Sequence, residues 1–436
     1  MNELIRWTLL DNIEQEAVLA RPNSSSRATL NERVGAIIEE IRQGGDDALC
    51  SWSRVLDGAE PQLPISKKDL QAQAAKTTQA FRGSAKLAAE NIRAFQQACL
   101  PKDTRWQGPQ GQRLDKRFLP LRRVGLYIPG GTAPLVSTLM MLAIPARIAG
   151  CEQVIMCTPP SPMGLAPEIA WAALEYGIDQ VFTVGGAQAI AAMAFGTESI
   201  APCDKLFGPG NAWVTAAKAQ VSTAAGGPGI DMLAGPSEAM VVADATADPR
   251  WIAADLLAQA EHGSDAQVLL VATNADLIKA TQSEVDSQLQ DLPRRDIAEL
   301  AMANARFILV DELSMAIEVA NRYAPEHLLL QVNKPDALTN AIRAAGSVFV
   351  GRYAAESFGD YSSGSNHVLP TGGTARFQGT VDPSSFMKAV TFQSFDRASA
   401  DRLGPATIAL AEAEGLRAHA QAVACRLNSN GSEEAA

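Results

Sequence analysis

An α/β fold built on parallel sheets is predicted by two features of this 436-residue sequence. Short apolar runs that fit buried strands alternate with longer segments that fit helices, and this alternation is typical of parallel sheets with crossover helices. Glycine turns follow several of the strands, with Gly130-Gly131 and Gly185-Gly186 as the clearest cases. Because ligands bind such sheets at the carboxyl ends of the strands, we expect backbone N–H groups of these turns to be open to phosphates.

The length and composition restrict the class of protein. Single cores stop growing at about 250–300 residues, so this chain should form two or more lobes. A formal net charge of −11 without a basic run argues against a nucleic-acid partner. The six cysteines are too widely spread for a disulfide framework, which favours a reducing, cytoplasmic setting. No signal peptide is expected, because residues 1–7 lack its basic and apolar segments, and no membrane span is expected, because the apolar stretch 135–150 contains Pro145 and Arg147.

Hydrophobic periodicity places the elements in chain order. Residues 27–100 should be helical, and residues 106–115 should form an exposed hairpin or loop. Residues 358–374 form a polar, glycine-rich stretch expected to be a site loop, and residues 400–427 form a helical tail. Strands are expected at 122–128, 153–158, 180–184, 239–243, 268–272, 307–310, 328–330 and 346–350.

The segment Phe207–Asn211 opens a further predicted helix. Its Gly208-x-Gly210 resembles the start of a dinucleotide fingerprint, but Trp213 stands where the third glycine belongs. A tight entry into the helix explains this spacing about as well. Taken with the other glycine turns, it favours nucleotide binding.

The helix that starts at Asp248-Pro249 carries a possible half of a metal site. Asp248 can cap the helix and Pro249 fits its first position, while Gly263 is expected to end it in the left-handed conformation. Gln259 and His262 would then lie three residues apart on one face of the last turn. An amide oxygen beside an imidazole can begin a metal site, although a solvent-facing helix end is the simpler interpretation.

Three other places hold candidate polar groups. Adjacent Glu326 and His327 should point in different directions in extended backbone, which suits two separate proton transfers, but an exposed, capped turn fits equally well. Asp360 could be a metal ligand or a loop residue that bonds its own backbone. Glu414 and His419 lie on the tail helix, where a solvated face is the usual meaning of such residues.

Five strings, read together, resemble the histidinol dehydrogenase family over residues 27–427. They are Ile230-Asp-Met-Leu-Ala-Gly-Pro-Ser237-Glu, Gln259-Ala-Glu-His262-Gly, Pro325-Glu-His327, Gly359-Asp360-Tyr361 and Ser365-Asn-His-Val-Leu-Pro370, in the family's order. The resemblance implies a site made of several groups of residues. They are the catalytic pair Glu326 and His327; zinc ligands Gln259, His262, Asp360 and His419, with one ion per subunit; NAD contacts Tyr127, Gln188 and Asn211; and substrate contacts Ser237, His327 and Glu414 together with the four ligands.

The resemblance also implies a fold and an assembly. The family has two incomplete Rossmann-like domains, similar to aldehyde dehydrogenases, with small helical additions at both ends. It forms a homodimer in which the tail of one subunit completes the other's site. The expected division is an N-terminal helical segment (1–25), a first lobe with the metal and catalytic residues (26–126 and 239–380), an NAD-binding lobe (127–238) and a C-terminal tail (381–436).

The implied reaction is a four-electron oxidation of L-histidinol to L-histidine with two NAD reduced in turn. His327 would remove the alcohol proton, Glu326 would activate water to hydrate the intermediate aldehyde, and His327 would act again in the second oxidation. The zinc ion would mainly orient the substrate.

Three alternatives remain from the sequence. A related dehydrogenase could oxidise another polar alcohol, although Glu414 and His419 match positions that recognise histidinol. An aldehyde dehydrogenase with a cysteine nucleophile would have to use Cys151 or Cys157, which lie in or beside a buried strand without a nearby histidine. A catalytically silent metal-binding scaffold is disfavoured by the Glu326-His327 pair.

Overall fold

The structure, a computed structural model, divides into two compact units. The larger contains residues 1–100 and 121–386, and the smaller contains residues 101–120 and 387–436. Gly131 of the predicted turn and the last eight residues of the predicted tail lie outside the described part of the chain. The described residues are 3–21, 27–130, 134–161, 163–233 and 235–428.

A six-stranded parallel sheet forms one half of the larger unit. Met240 and Val242 of its central strand pack into one apolar cluster, and Ala239 and Val241 pack into another, because successive side chains of a strand point to opposite faces. A strand covered on both faces must be apolar throughout, which explains the continuous hydrophobic run. Side by side, the strands are β1 (Leu4–Arg6), β11 (Arg306–Leu309), β10 (Gln267–Ala272), β9 (Glu238–Ala243), β12 (His327–Gln331) and β13 (Ser347–Val350).

The helices of this half confirm the predicted start of one element and correct its end. The Asp248 side chain accepts a hydrogen bond from the Arg250 N–H, with Pro249 at the first helical position. The helix stops at Ala260, and Gly263 is absent from the described glycines with positive φ, so its predicted left-handed cap is wrong. The helices are α1 (Asn12–Leu19), α9 (Pro249–Ala260), α10 (Ala275–Leu289), α11 (Arg295–Met302), α12 (Leu313–Tyr323), α13 (Asp336–Thr339) and α14 (Glu356–Tyr361).

A five-stranded parallel sheet forms the other half and confirms the predicted strand, turn and helix alternation. Its strands, side by side, are β6 (Gln180–Thr183), β5 (Gln153–Thr158), β4 (Arg123–Tyr127), β7 (Lys205–Phe207) and β8 (Gly229–Ile230). Its crossover helices are α5 (Val136–Ala149), α6 (Pro167–Glu175), α7 (Gly186–Phe195) and α8 (Ala212–Thr223).

Three N-terminal helices pack on the five-stranded half. The expected division had instead grouped residues 26–126 with the six-stranded half. Val34, Ile37 and Ile41 of the first of them share one apolar cluster with Ile190 of α7. Burial of this shared apolar surface decides the packing. The segment 1–25, expected to be helical, also contributes the edge strand β1. The three helices are α2 (Arg27–Leu56), α3 (Lys67–Ala74) and α4 (Gln79–Ala98).

The smaller unit is a three-stranded antiparallel sheet with two helices. Its β2 (Thr104–Gln107) and β3 (Arg113–Pro120) confirm the predicted hairpin, and β3 also pairs with β14 (Met387–Ser394). The helices α15 (Arg397–Ala413) and α16 (Arg417–Asn428) confirm the predicted helical tail. No helix in the described residues has the length and apolar character needed to cross a membrane.

Candidate active site

Glu326 and His327 lie at the amino end of β12, where the chain enters the sheet beside β9. The two strands are parallel, with His327 opposite Ala239, so both residues come next to Glu238 at the start of β9. Their side chains are buried, with relative exposures of 6% for Glu326 and 4% for His327. The interpretation of this pair as an exposed turn is therefore wrong. In this sheet the pair lies at the amino ends of the strands, whereas ligands of parallel sheets usually bind at the carboxyl ends.

The His327 imidazole stands among several carboxyl groups. Its Nδ1 lies 3.1 Å from the Glu238 carbonyl oxygen, 3.8 Å from Glu326 Oε2 and 3.9 Å from Glu356 Oε1. Its Nε2 lies 3.6 Å from Asp360 Oδ1. Glu326 and His327 thus approach each other at their tips, although their side chains leave the strand in different directions.

The charges of this group shift one another's pKa values. Burial by itself would lower the pKa of His327, but Glu356, Glu326 and Asp360 outweigh it and raise the pKa to about 10. Burial raises the pKa of Glu326 to about 7 and that of Glu356 to about 8. Burial opposes ionisation of Asp360 too, yet the nearby His327 imidazole, at 3.6 Å, lowers its pKa. The three carboxyl groups of Glu326, Glu356 and Asp360 therefore favour the protonated form of the His327 imidazole.

A group of side chains suited to a metal ion adjoins His327. His262, Glu356 and Asp360 each offer a ligand atom, and these atoms lie within 4.8 Å of one another. The Gln259 amide contacts the Glu356 carboxylate, which can only accept a hydrogen bond, so we assign the NH₂ group to that side. The amide oxygen then accepts from the Glu238 N–H at 3.1 Å. The structure thus brings Gln259, His262 and Asp360 together.

Glu356 is the residue of this group that the sequence analysis did not assign. The stretch from 358 was expected to be a loop, whereas Glu356 and Asp360 both lie on the short helix α14. Residues four apart in a helix lie on the same face, so one helix delivers both carboxyl groups. The four-residue spacing is visible in the sequence, but it places the two carboxyl groups on one face only if the segment is helical.

His367 supports the same group from the following loop. Its Nδ1 lies 3.0 Å from the Asp360 carbonyl oxygen, and its Nε2 lies 3.0 Å from Thr138 Oγ1 on α5. Burial lowers the pKa of His367. This imidazole therefore joins the Asp360 backbone to a helix of the five-stranded half.

The residues predicted to contact NAD lie at the carboxyl edge of the five-stranded sheet. Tyr127 ends β4, Gln188 follows β6, and Asn211 follows β7. Tyr127 and Gln188 are buried, with the Tyr127 hydroxyl accepting from the Gly186 N–H at 3.0 Å and the Gln188 amide donating to Asp57. Asn211 is exposed and caps α8. Direct contact of these three residues with NAD stays a prediction.

The glycine N–H groups at this edge are hydrogen-bonded to side chains, contrary to the expectation that they are free. The N–H groups of Gly185, Gly186 and Gly208 donate to Asp57, Tyr127 and Asp231, respectively. The prediction that the glycine turns leave them open to phosphates is therefore wrong for these three. Side chains hold these turns in place at the edge of the sheet. The backbone N–H donors of the turns are therefore already occupied.

The remaining predicted site residues are placed in different parts of the chain. Ser237 precedes β9 and is half-buried, with its carbonyl oxygen accepting from the Gln267 N–H at 3.0 Å. Glu414 caps the C-terminal end of α15 and His419 lies on α16, both in the smaller unit and both exposed in the single chain.

Cys151 and Cys157 do not form a nucleophilic site. Both are buried, and burial raises the pKa of Cys151 to about 11 and holds that of Cys157 well above its usual value. A thiol reacts as a thiolate, so these surroundings oppose reactivity. The geometry gives no support to the cysteine-dependent alternative.

Known proteins are similar to this chain in sequence and in fold over nearly its full length. The model of the family described as histidinol dehydrogenase matches residues 19–427. The histidinol dehydrogenase of Xylella fastidiosa (strain Temecula1) is 47% identical over 98% of this chain and 99% of its own length. That of Aliivibrio fischeri is 42% identical over 97% of this chain and 95% of its own length. The crystal structure of histidinol dehydrogenase from Elizabethkingia anophelis superposes with a TM-score of 0.93 at 40% identity, covering 98% of both chains.

The match includes every segment that builds the buried acid and imidazole group, from Glu238 to Asp360. A family model that spans nearly all of the chain, relatives above 40% identity and a solved structure of the same fold agree with one another. The chain therefore belongs to the histidinol dehydrogenase family of oxidoreductases.

Proposed function

We propose that this protein oxidises L-histidinol to L-histidine in a zinc-dependent, four-electron reaction that reduces two NAD molecules. The observation that carries the proposal is the buried Glu326 and His327 pair beside the nitrogen and oxygen donors of His262, Glu356 and Asp360. Oxidation of a primary alcohol to a carboxylate needs two hydride removals and the addition of one water. Two neighbouring proton acceptors fit the two kinds of proton transfer.

The donor set fits a zinc ion. Imidazole nitrogen with carboxylate and amide oxygens is a mixture that Zn²⁺ accepts, and Gln259, His262 and Asp360 would hold the ion together with His419. The surplus of carboxyl groups around His327 is the kind of charge that a divalent cation balances. Bound zinc would orient the imidazole and amine of histidinol and would lower the pKa of His327 by offsetting that charge.

His327 and Glu326 divide the proton transfers between them. The Glu238 carbonyl can only accept, so it fixes the proton of His327 on Nδ1 and leaves Nε2 to take the alcohol proton. Glu326 receives the Glu238 N–H on Oε2 at 2.9 Å, which keeps its carboxyl group in place to activate the attacking water. A pKa of about 7 suits a general base at neutral pH.

The NAD site is proposed at the carboxyl edge of the five-stranded sheet. Exposed Asn211 and the ends of β4, β6 and β7 lie there, and ligands of parallel sheets bind at the carboxyl ends of the strands. Tyr127 and Gln188 would act at this edge by holding the Gly185-Gly186 turn through their hydrogen bonds to Gly186 and Asp57.

The number of NADH molecules formed per L-histidinol consumed tests this proposal. We expect two, because the alcohol and the hydrated aldehyde each lose a hydride. The measurement is absorbance of NADH at limiting substrate, with zinc-replete enzyme and the product identified by chromatography. One NADH per substrate would indicate a simple alcohol dehydrogenase, and none would favour the silent scaffold.

A homodimer with shared sites is proposed for the residues of the smaller unit. Glu414 and His419 are exposed in the single chain, although their predicted roles require a closed site. Mixing equal amounts of inactive His419→Ala and inactive His327→Ala should restore about a quarter of the wild-type activity after subunit exchange, because about half of the dimers are mixed and each mixed dimer has one intact site of two.

A second mixture provides the matched control for this experiment. Combining His327→Ala with Asp360→Ala should restore nothing, because these two residues belong to one group in one chain. Activity and subunit exchange are measured in the same samples. If the His419→Ala and His327→Ala subunits exchange but stay inactive, each site is built within a single chain.

A further inference from the structure

An arginine of the N-terminal segment, Arg21, reaches the start of β9, the strand beside the two candidate bases. Its guanidinium group pairs with the Glu238 carboxylate, through Nε and through Nη2 at 2.9 Å from Oε2. We propose that Arg21 is a positioning residue for Glu326 and His327, acting through Glu238. The inference rests on the proposed function, and nothing in the sequence motifs or the predicted ligand set involves Arg21.

The main chain of Glu238 is the point on which both bases depend. Its N–H donates to Glu326 Oε2 at 2.9 Å, and its carbonyl oxygen lies 3.1 Å from His327 Nδ1. One peptide segment therefore sets the position of the Glu326 carboxylate and the tautomer of the His327 ring. A displacement of Glu238 would move both groups together.

The side chain of Glu238 is held at both of its oxygens. Arg21 binds the carboxylate, and the Gly372 N–H donates to Oε1 at 3.1 Å. The carboxylate is 3% exposed, whereas the Arg21 side chain is 25% exposed and reaches it from the surface. A buried carboxylate is stable only with partners, so loss of Arg21 forces Glu238 to move or to admit water.

Arg21 also holds the chain segment that leads into Glu326. Its Nη2 donates to the Tyr323 carbonyl oxygen at 2.8 Å, and its guanidinium group lies 4.1 Å from the centre of the Tyr323 ring. The next residue, Ala324, has φ of 55°, and among the described residues no other non-glycine residue has a positive φ. One guanidinium group thus joins Glu238 to a strained turn two residues before Glu326.

Arg21→Met tests the proposal against the matched control Arg322→Met. Arg322 also joins the N-terminal segment to α12, through Gln15 and Glu16 at 2.6 Å, but it has no contact with Glu238. We expect Arg21→Met to lower kcat by about 10–100-fold with KM changed less than about threefold, because small displacements of reacting groups cost rate rather than binding. Arg322→Met should keep wild-type kcat. Millimolar guanidinium should partly restore Arg21→Ala.

Two further measurements separate positioning from folding. Arg21→Met/Glu238→Gln removes the unpaired buried charge, so it should regain thermal stability yet keep the low kcat. In zinc-loaded enzyme, the ¹⁵N chemical shifts of His327 should show loss of the neutral, Nδ1-protonated tautomer in Arg21→Met. Wild-type kcat per folded site in both Arg21 variants, or a change in KM alone, would overturn the inference. Wild-type enzyme that makes no NADH would instead overturn the proposed function.

Discussion

Glu326→Gln should form the first NADH at close to the wild-type rate in a single turnover and the second about 10²–10⁴-fold more slowly. Glutamine keeps the shape of glutamate, and its amide oxygen can still accept the Glu238 N–H that now bonds Glu326 Oε2 at 2.9 Å. It cannot take up a proton at neutral pH, so hydration of the aldehyde should fail. His327→Ala should impair both steps, because each oxidation removes a proton from oxygen.

Rapid-quench measurement of the two NADH steps checks this division. Supplying the aldehyde directly should not rescue Glu326→Gln, because hydration follows that point. At saturating zinc, Glu356→Gln is the matched control, since the Glu356 carboxylate lies 3.9 Å from the same His327 nitrogen that Glu326 approaches at 3.8 Å. If only charge near His327 mattered, both variants would slow the same step. Equal slowing of both NADH steps in Glu326→Gln would show that Glu326 does not act on water.

Asp360→Ala should lose bound zinc and activity while the fold survives. Asp360 lies on the short helix α14 with a side chain that is 14% exposed, so its removal leaves no large cavity in an apolar core. The change takes away an oxygen ligand that has His262 as its neighbour in the candidate group. Elemental analysis after dialysis measures the zinc content, and urea unfolding measures the stability.

The proposed zinc ligands also predict how Glu356→Gln should change the affinity for zinc. If Glu356 acts by holding the Gln259 amide, this variant should weaken zinc binding by about 10–100-fold rather than abolish it. Competition with a chromophoric chelator gives the dissociation constants. Full zinc content in Asp360→Ala would remove Asp360 from the ligands. Complete loss of zinc in Glu356→Gln would place Glu356 among them.

Local sequence determined the elements and much of the chemistry. The apolar runs and their spacing predicted most of the strands, because a strand buried on both faces must be continuously apolar. The cap at Asp248-Pro249 follows from short-range backbone chemistry and was predicted correctly, and the hairpin or loop expected at 106–115 is the turn region of the β2–β3 hairpin. The family strings named Gln259, His262, Glu326, His327 and Asp360, and the structure brings these residues together.

Only the tertiary structure decided which edge of each sheet carries which part of the site. The rule that ligands lie at carboxyl strand ends describes the positions of Tyr127, Gln188 and Asn211, but Glu326 and His327 lie at the amino end of β12. The roles proposed for Glu356 and Arg21 depend on folding. Helix α14 brings Glu356 to the face that carries Asp360, and Arg21 lies 217 residues from its partner Glu238. The spacing of residues in the sequence predicts only which side chains are neighbours on the same helix or strand. Contacts made by burying a charge against a distant partner depend on how the whole chain packs, and no local pattern contains them.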